Sequence, residues 1–136
     1  MSAYYEIHKS LIQSVIDLNL GLPIAHENIN FNPESVDEYI SVTVLFDEQN
    51  TVTKTDLDDV MGFIQISHYV KSGIGTGSSY DLITTLSAAY PHAKQFAPGS
   101  SSQTINIQNI AVNRRGNSDG WYITDFTINF WSDISR

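Results

Sequence analysis

Histidines are the side chains of this sequence best suited to metal binding or acid–base chemistry, but their spacing supports neither role. His8, His26, His68 and His92 fall in four different predicted elements and form no HxxxH or HExxH pair, a spacing that metal sites usually show. His68 lies in an apolar strand and is predicted to be a satisfied interior or interface group. Because the chain has no cysteine, a thiol nucleophile, a thiolate metal site and a disulfide are excluded.

The segment GIGTGSS at 73–79 is the most enzyme-like part of the sequence. Gly73, Gly75 and Gly77 permit positive φ angles, and N–H groups at the start of the following helix could hold an anion. The segment is not G-x-G-x-x-G, however, and it lacks the lysine of a Walker A loop. It is therefore interpreted as a strand-to-helix connection in which Ser78 and Asp81 approximate a capping box, and a small anion- or nucleotide-binding enzyme remains the alternative.

Acidic residues concentrate in the segment 47–59. They are Asp47, Glu48, Asp56, Asp58 and Asp59. The spacing is not that of an EF-hand loop, and nothing in the sequence selects a carboxylate pair for catalysis. Because the segment has no apolar periodicity, it is predicted to be an exposed acidic connector.

Arg114 and Arg115 are the one adjacent basic pair in the chain. They fall in NRRGNSDG, at 113–120, which is predicted to be a hairpin tip. There they could bind a carboxylate of another subunit through bidentate hydrogen bonds, or they could simply belong to a polar turn.

Length and charge limit the class of protein. The 136 residues predict a single domain over 1–136. Seven basic against fifteen acidic residues give a net charge of −8, opposite in sign to that of a protein that binds nucleic acid through its phosphates. The sequence also shows no apolar stretch long enough to span a bilayer and no secretory signal, so neither is expected.

Hydrophobic periodicity predicts the element order α-β-β-β-α-β-β. The helices are predicted over 4–18 and about 79–90, and the strands over 24–31, 39–46, 60–70, 103–112 and 121–131. A shift in the alternation predicts a β-bulge at Asn109. Short turns favour antiparallel pairing, and two helices suffice to cover one face of a sheet. The predicted fold is therefore an α+β two-layer sandwich with a mostly antiparallel or mixed sheet.

Two predicted strands are apolar on both faces. Phe63 and Tyr69 alternate with the core positions of strand 60–70, and Ile123 and Trp131 do so in strand 121–131. Such a second apolar face must contact another layer or a neighbouring subunit. These four residues are therefore predicted interface residues, with the 47–59 connector and the Arg114–Arg115 pair as polar contacts.

The ordered combination of four segments resembles the tail terminator family of long-tailed bacteriophages. The segments are PIAHENINFNP (23–33), YISVTVLF (39–46), GFIQISHYVKSGIGTGSS (62–79) and LITTLSAAYP (82–91). Members of that family share a Pro-small-hydrophobic-Glu-Asn-aromatic-Pro run and a Gly-aromatic-Gln strand. They also share a Gly-x-Gly-x-Gly turn into a helix that ends near an aromatic–Pro pair. The resemblance covers residues 4–91, and the last two strands fit it more loosely.

The resemblance implies a structural virion protein and not an enzyme. Tail terminators form a hexameric ring on the head-proximal end of the tail tube, stop its polymerisation and present the docking surface for the head or its connector. The implied partners are sibling copies, the tail tube protein and a neck protein, with no cofactor, metal or membrane. The implied location is the neck of the virion, after assembly in the host cytoplasm. Another neck component, a head–tail joining or tail completion protein, is the alternative.

A ring of this kind agrees with the charge of the chain. Six copies would carry six times −8, or −48, and DNA would pass through such a ring without specific binding because a channel that attracted phosphate would slow its passage. The hypothesis that follows is that the acidic residues of 47–59, Asp56, Asp58 and Asp59 in particular, face the channel or the end of the tube.

Overall fold

A computed structural model of the chain describes residues 3–26, 29, 31–33, 36–51, 57–73, 77–92, 95–96 and 105–135. Within these ranges the chain forms two helices and six strands. The helices are α1 (Ala3–Ile16) and α2 (Gly77–Ala89). The strands are β1 (Ile24–His26), β2 (Glu38–Thr51), β3 (Leu57–Lys71), β4 (Gln95–Phe96), β5 (Ile105–Ser118) and β6 (Trp121–Ser135).

The strands form one mixed sheet in the order β1-β2-β3-β6-β5-β4. β1 runs parallel to β2, and every other neighbouring pair is antiparallel. The α+β class, with two helices and a mixed sheet that is not closed, is thereby confirmed. The two-residue strand β4 at the far edge was not expected from the sequence.

Both helices pack on the same face of the sheet, and their predicted apolar stripes form the core. Ile7, Leu11 and Val15 of α1 are buried with Leu82 and Leu86 of α2. From the sheet, the core receives the alternating residues Ile40, Val42, Val44, Ile64, Ile66, Phe126, Ile128 and Phe130. α1 ends before Asn19 and Gly21, whose positive φ angles of 52° and 74° take the backbone out of the helix. Neither helix within the described ranges is long and apolar enough to cross a membrane.

The prediction of an exposed connector over 47–59 is wrong for most of that segment. β2 continues to Thr51 and β3 begins at Leu57, and their pairing extends past a bulge after Phe46 as far as Thr51 opposite Asp58. The polar sequence did not indicate these strands, because hydrogen bonds between the backbones of paired strands do not require alternating apolar side chains. Residues 47–51 and 57–59 are called the β2–β3 arm below, and the predicted channel residue Asp56 lies outside the described residues.

The prediction of a hairpin tip over 113–120 is also wrong. β5 and β6 are joined by a two-residue turn, Asp119–Gly120, with φ angles of 51° and 84°, and Asp-Gly is a preferred sequence for such a type I′ turn. Arg114 and Arg115 therefore lie within β5, with a register shift between Arg114 and Gly116. The other bulge of β5 lies between Ile107 and Asn109, which confirms the shift predicted there.

Candidate interaction surface

The face of the sheet opposite the helices carries an apolar group, called the apolar patch, made of Leu45, Met61, Phe63 and Trp131. Leu45 is paired with Phe63, and Met61 with Trp131, and side chains at paired positions lie on the same face. Leu45 is 43% exposed, and the other three are half-buried. The fold thus brings Phe63 and Trp131, two of the predicted interface residues, into one patch.

Tyr69 belongs to a separate aromatic cluster at the other end of the same face. Its ring stacks on that of Tyr39 at 4.5 Å between centroids and 2° between planes. Trp121 and Phe31 pack against Tyr39 at 5.1 and 4.9 Å. Burial raises the pKa of Tyr39, and the electrostatic interaction with the neighbouring Tyr69 raises it further. Tyr69 is six residues from Phe63, about 20 Å along an extended strand, so the predicted interface residues form two groups.

A hydrogen-bonded network lies beside the aromatic cluster and includes Arg115. Asp125, 8% exposed, accepts a 2.6 Å bond from Ser67 Oγ and lies 2.7 Å from Arg115 Nε. Partial burial disfavours the charge of Arg115, but bonds to Tyr69 and Asp125 outweigh it and raise the pKa of the guanidinium. Arg115 thus pairs with a carboxylate of its own subunit.

Arg114 lies on the helix side of the sheet. Its Nη1 donates a 3.0 Å hydrogen bond to Tyr122 Oη, and its guanidinium carbon lies 4.4 Å from the centroid of the Tyr80 ring. The bond to Tyr122 raises the pKa of Arg114. The predicted adjacent basic pair is therefore divided between the two faces of the sheet.

The prediction that Ile123 is an outward interface residue is wrong. Its side chain is only 5% exposed. Ile123 is paired with Tyr69 on one side and with Gly116 on the other, so the centre of the sheet and the aromatic cluster enclose it. It therefore offers no surface to another subunit.

His68 occupies a buried polar triplet that no sequence motif indicates. Its Nε2 lies 2.6 Å from Glu38 Oε2 and its Nδ1 3.2 Å from Ser79 Oγ. Serine, histidine and a carboxylate are the set that activates a nucleophile, but Ser79 and His68 are both fully buried. The neighbouring cleft of about 230 Å³ is lined by Glu38 and Ser78 but, among its described residues, by neither His68 nor Ser79. The triplet ties α2 to the sheet, which confirms His68 as a satisfied interior group.

The glycine-rich segment is described only at its two ends. Gly73 has a φ of +93°, a conformation that favours glycine, and Gly77 begins α2. Gly75 lies outside the described residues. Because α2 begins before Ser78, that serine is inside the first turn and is not the predicted cap. Among the described residues, no group of three or more histidine and acidic side chains is arranged to hold a metal ion.

No protein-family model and no curated protein matches this sequence. Several solved structures match, and one of them does so over 100% of this chain and 99% of its own, with a TM-score of 0.77 and 14% sequence identity. At that identity the similarity concerns the fold alone.

Proposed function

We propose that this chain is a structural subunit of a ring that terminates a bacteriophage tail tube. It acts as a homohexamer at the head-proximal end of the tube, stops polymerisation and presents a docking surface to a connector or neck protein. The resemblance of residues 4–91 to tail terminators suggests this role. The structural observation that supports it best is the apolar patch on the face of the sheet opposite the helices.

The apolar patch favours association of the chain with other proteins. Leu45 alone keeps 43% of its surface exposed, and it lies beside Phe63 in the register of the sheet. Complete burial of such side chains contributes about 1.5–3 kcal/mol each relative to full exposure. A hexameric ring also needs two different complementary surfaces on each subunit. The patch is an apolar surface available for contact with a neighbouring subunit, the tube or a neck protein.

Charge supports the passage of DNA through such a ring. A net charge of −8 per chain repels phosphate, so DNA would move through without being held. The subunit would therefore work by shape and need neither a cofactor nor a reaction centre.

Measurement of particle size and shape tests the proposal. The purified chain would be sized by light scattering, alone and with tail tubes, and imaged by negative-stain microscopy. We expect a ring of six with a central hole, alone or on the tube end. A chain that remains monomeric under both conditions would contradict the proposal, and nucleotide binding by that monomer would favour the enzyme alternative.

Deletion of the gene separates the two kinds of neck protein. Loss of a terminator should give overlong or aberrant tails. Loss of a head–tail joining or completion protein should leave normal tails beside separate filled heads. The second result would retain a structural role for the chain but assign it to the alternative.

A further inference from the structure

A groove of about 270 Å³ lies between α1 and the edge strand β1. Its lining includes Tyr5, Lys9 and Ile12 of α1, His26 of β1, and Ile29. Tyr5 is 51% and Ile29 66% exposed. The groove is therefore an open, partly apolar surface on the side of the molecule.

The groove presents a cation although the chain as a whole is acidic. The chain carries −8, and the exposed Lys9 is among the described lining residues. Complementary charge favours an acidic segment with some apolar character as the occupant. The volume is below the range of about 300–1,000 Å³ that small-molecule sites usually occupy, and it suits a few protein side chains.

The β2–β3 arm has the required composition. It contains Asp47, Glu48, Asp58 and Asp59 together with Leu57, and pairing of its two strands holds the backbone extended. The far end of the arm lies away from the groove of its own subunit. His26 is opposite Val42, and Thr51 is nine residues further along β2, a distance of about 30 Å in an extended strand.

We propose that the β2–β3 arm of one copy docks in the groove between α1 and β1 of a second copy, with Lys9 opposite the carboxylates of the arm. The inference rests on the proposed function and names the contact that closes the ring. Arm and groove are different surfaces, so each copy uses both and the contact runs head to tail. Asp58 and Asp59 then face a neighbouring subunit and not the DNA channel.

Cysteine cross-linking tests the contact without background because the chain has no cysteine. The Lys9→Cys variant is mixed with the Asp58→Cys or the Asp59→Cys variant and treated with a short bismaleimide. The protein concentration is one at which the wild type is oligomeric, either by itself or on tail tubes. We expect the mixture to give at least about tenfold more cross-linked dimer than either variant alone, since docking holds the thiols at high effective concentration. The matched control is Ser118→Cys, at an exposed position near the β5–β6 turn, in place of Lys9→Cys.

A chain with both substitutions distinguishes a ring from a closed dimer. Lys9→Cys with Asp59→Cys should give a ladder of covalent products up to the hexamer. A reciprocal two-fold contact would stop at the dimer and would contradict the head-to-tail arrangement.

Charge exchange provides a second test. Lys9→Glu alone, and Asp58→Lys with Asp59→Lys, should each weaken association by roughly tenfold, and the combined variant should recover most of that loss. An oligomeric wild type in which neither cross-linking nor charge reversal has an effect would overturn the docking proposal but leave the ring proposal standing. A wild type that stays monomeric alone and on tubes would overturn both.

Discussion

His68 Nε2 lies 2.6 Å from Glu38 Oε2 and joins β3 to the start of β2. The other ring nitrogen, Nδ1, lies 3.2 Å from Ser79 Oγ in the first turn of α2. One buried imidazole thus connects two strands and a helix. The position of α2, and with it the end of the glycine-rich segment, depends on these two bonds.

Substitution of His68 should weaken the fold more than substitution of either partner. His68→Ala leaves a cavity and two polar groups without their partner, so we expect the free energy of unfolding to fall by about 2–4 kcal/mol. Ser79→Ala should cost about 1 kcal/mol, because it removes one hydrogen bond and little volume. Urea denaturation measures both values. Equal losses in the two variants would show that the imidazole does not connect the elements.

Gly62 is required where two aromatic rings meet above the sheet. A Cβ at this position would lie 2.4 Å from the carbonyl oxygen of Leu45 and 3.1 Å from the ring of Phe130, and the Phe46 and Phe130 rings lie 6.1 Å apart across it. Gly62→Ala should therefore lower the free energy of unfolding by about 2–3 kcal/mol.

Gly77→Ala is the matched control for Gly62→Ala. A Cβ at Gly77 meets nothing within 4 Å, and in α2 alanine is favoured over glycine by up to about 1 kcal/mol. Thermal unfolding of the two variants should shift in opposite directions. Similar losses in both would contradict the steric argument.

Thr124 has a fully buried hydroxyl for which the structure gives no hydrogen-bond partner. Thr124→Val keeps the shape of the side chain and removes that hydroxyl, so we expect unchanged stability or a gain of about 1 kcal/mol. Ser67→Ala is the contrast, because the Ser67 hydroxyl donates to Asp125 and its loss should be destabilising. A destabilised Thr124→Val would indicate a water bridge to the neighbouring Arg114, whose Nη2 also lacks a partner.

Tyr90 should make the fold sensitive to alkali. Burial raises the pKa of Tyr90 above its ordinary value of 10.0, a 2.6 Å bond with Ser14 opposes the shift, and Asp17 adds to it. The unfolded chain then loses this proton first. The contribution of Tyr90 to stability is present below pH 10.0 and falls as the pH rises through the higher pKa that Tyr90 has in the folded state.

Two variants separate the phenol proton from the hydrogen bond. Tyr90→Phe should lose about 1 kcal/mol at neutral pH and show a smaller decline above pH 10.0. Ser14→Ala removes the same bond but retains the phenol, and because that bond opposes the pKa shift of Tyr90, the decline with alkali should be at least as large as in the wild type. Urea midpoints across this pH range measure both, and an unchanged alkaline decline in Tyr90→Phe would refute the assignment.

The sequence predicted those parts of the fold that depend on burial of alternating side chains. The periodic spacing of apolar residues indicates which side of an element faces the interior. It correctly placed Ile64 and Ile66 of β3, and Leu82 and Leu86 of α2, in the core. The arm was missed because its pairing lies in the backbone, which a polar sequence does not reveal. The tip predicted over 113–120 was misplaced because the Asp119–Gly120 pair alone forms the turn, and the residues before it continue β5 to Ser118.

The candidate surface was less predictable than the core. Phe63 and Trp131 were placed on an outer face by alternation, which also gave Ile123 the same role. Exposure depends on neighbours from other strands, however, and Tyr69 and Gly116 flank Ile123. The Glu38–His68–Ser79 triplet had no local signal, because its members come from three elements that only the tertiary fold brings together.

The apolar patch should control assembly and not folding. Leu45→Glu places a charge on a residue that is 43% exposed, so the monomer should keep its fold while burial of the patch against a partner becomes costly. We expect association to weaken by at least about tenfold, which corresponds to 1.4 kcal/mol. Val112→Glu is the control, because Val112 is 42% exposed but paired with Phe126, away from the patch. Light scattering and circular dichroism measure assembly and folding, and equal assembly by the two variants would show that the patch is not an interface.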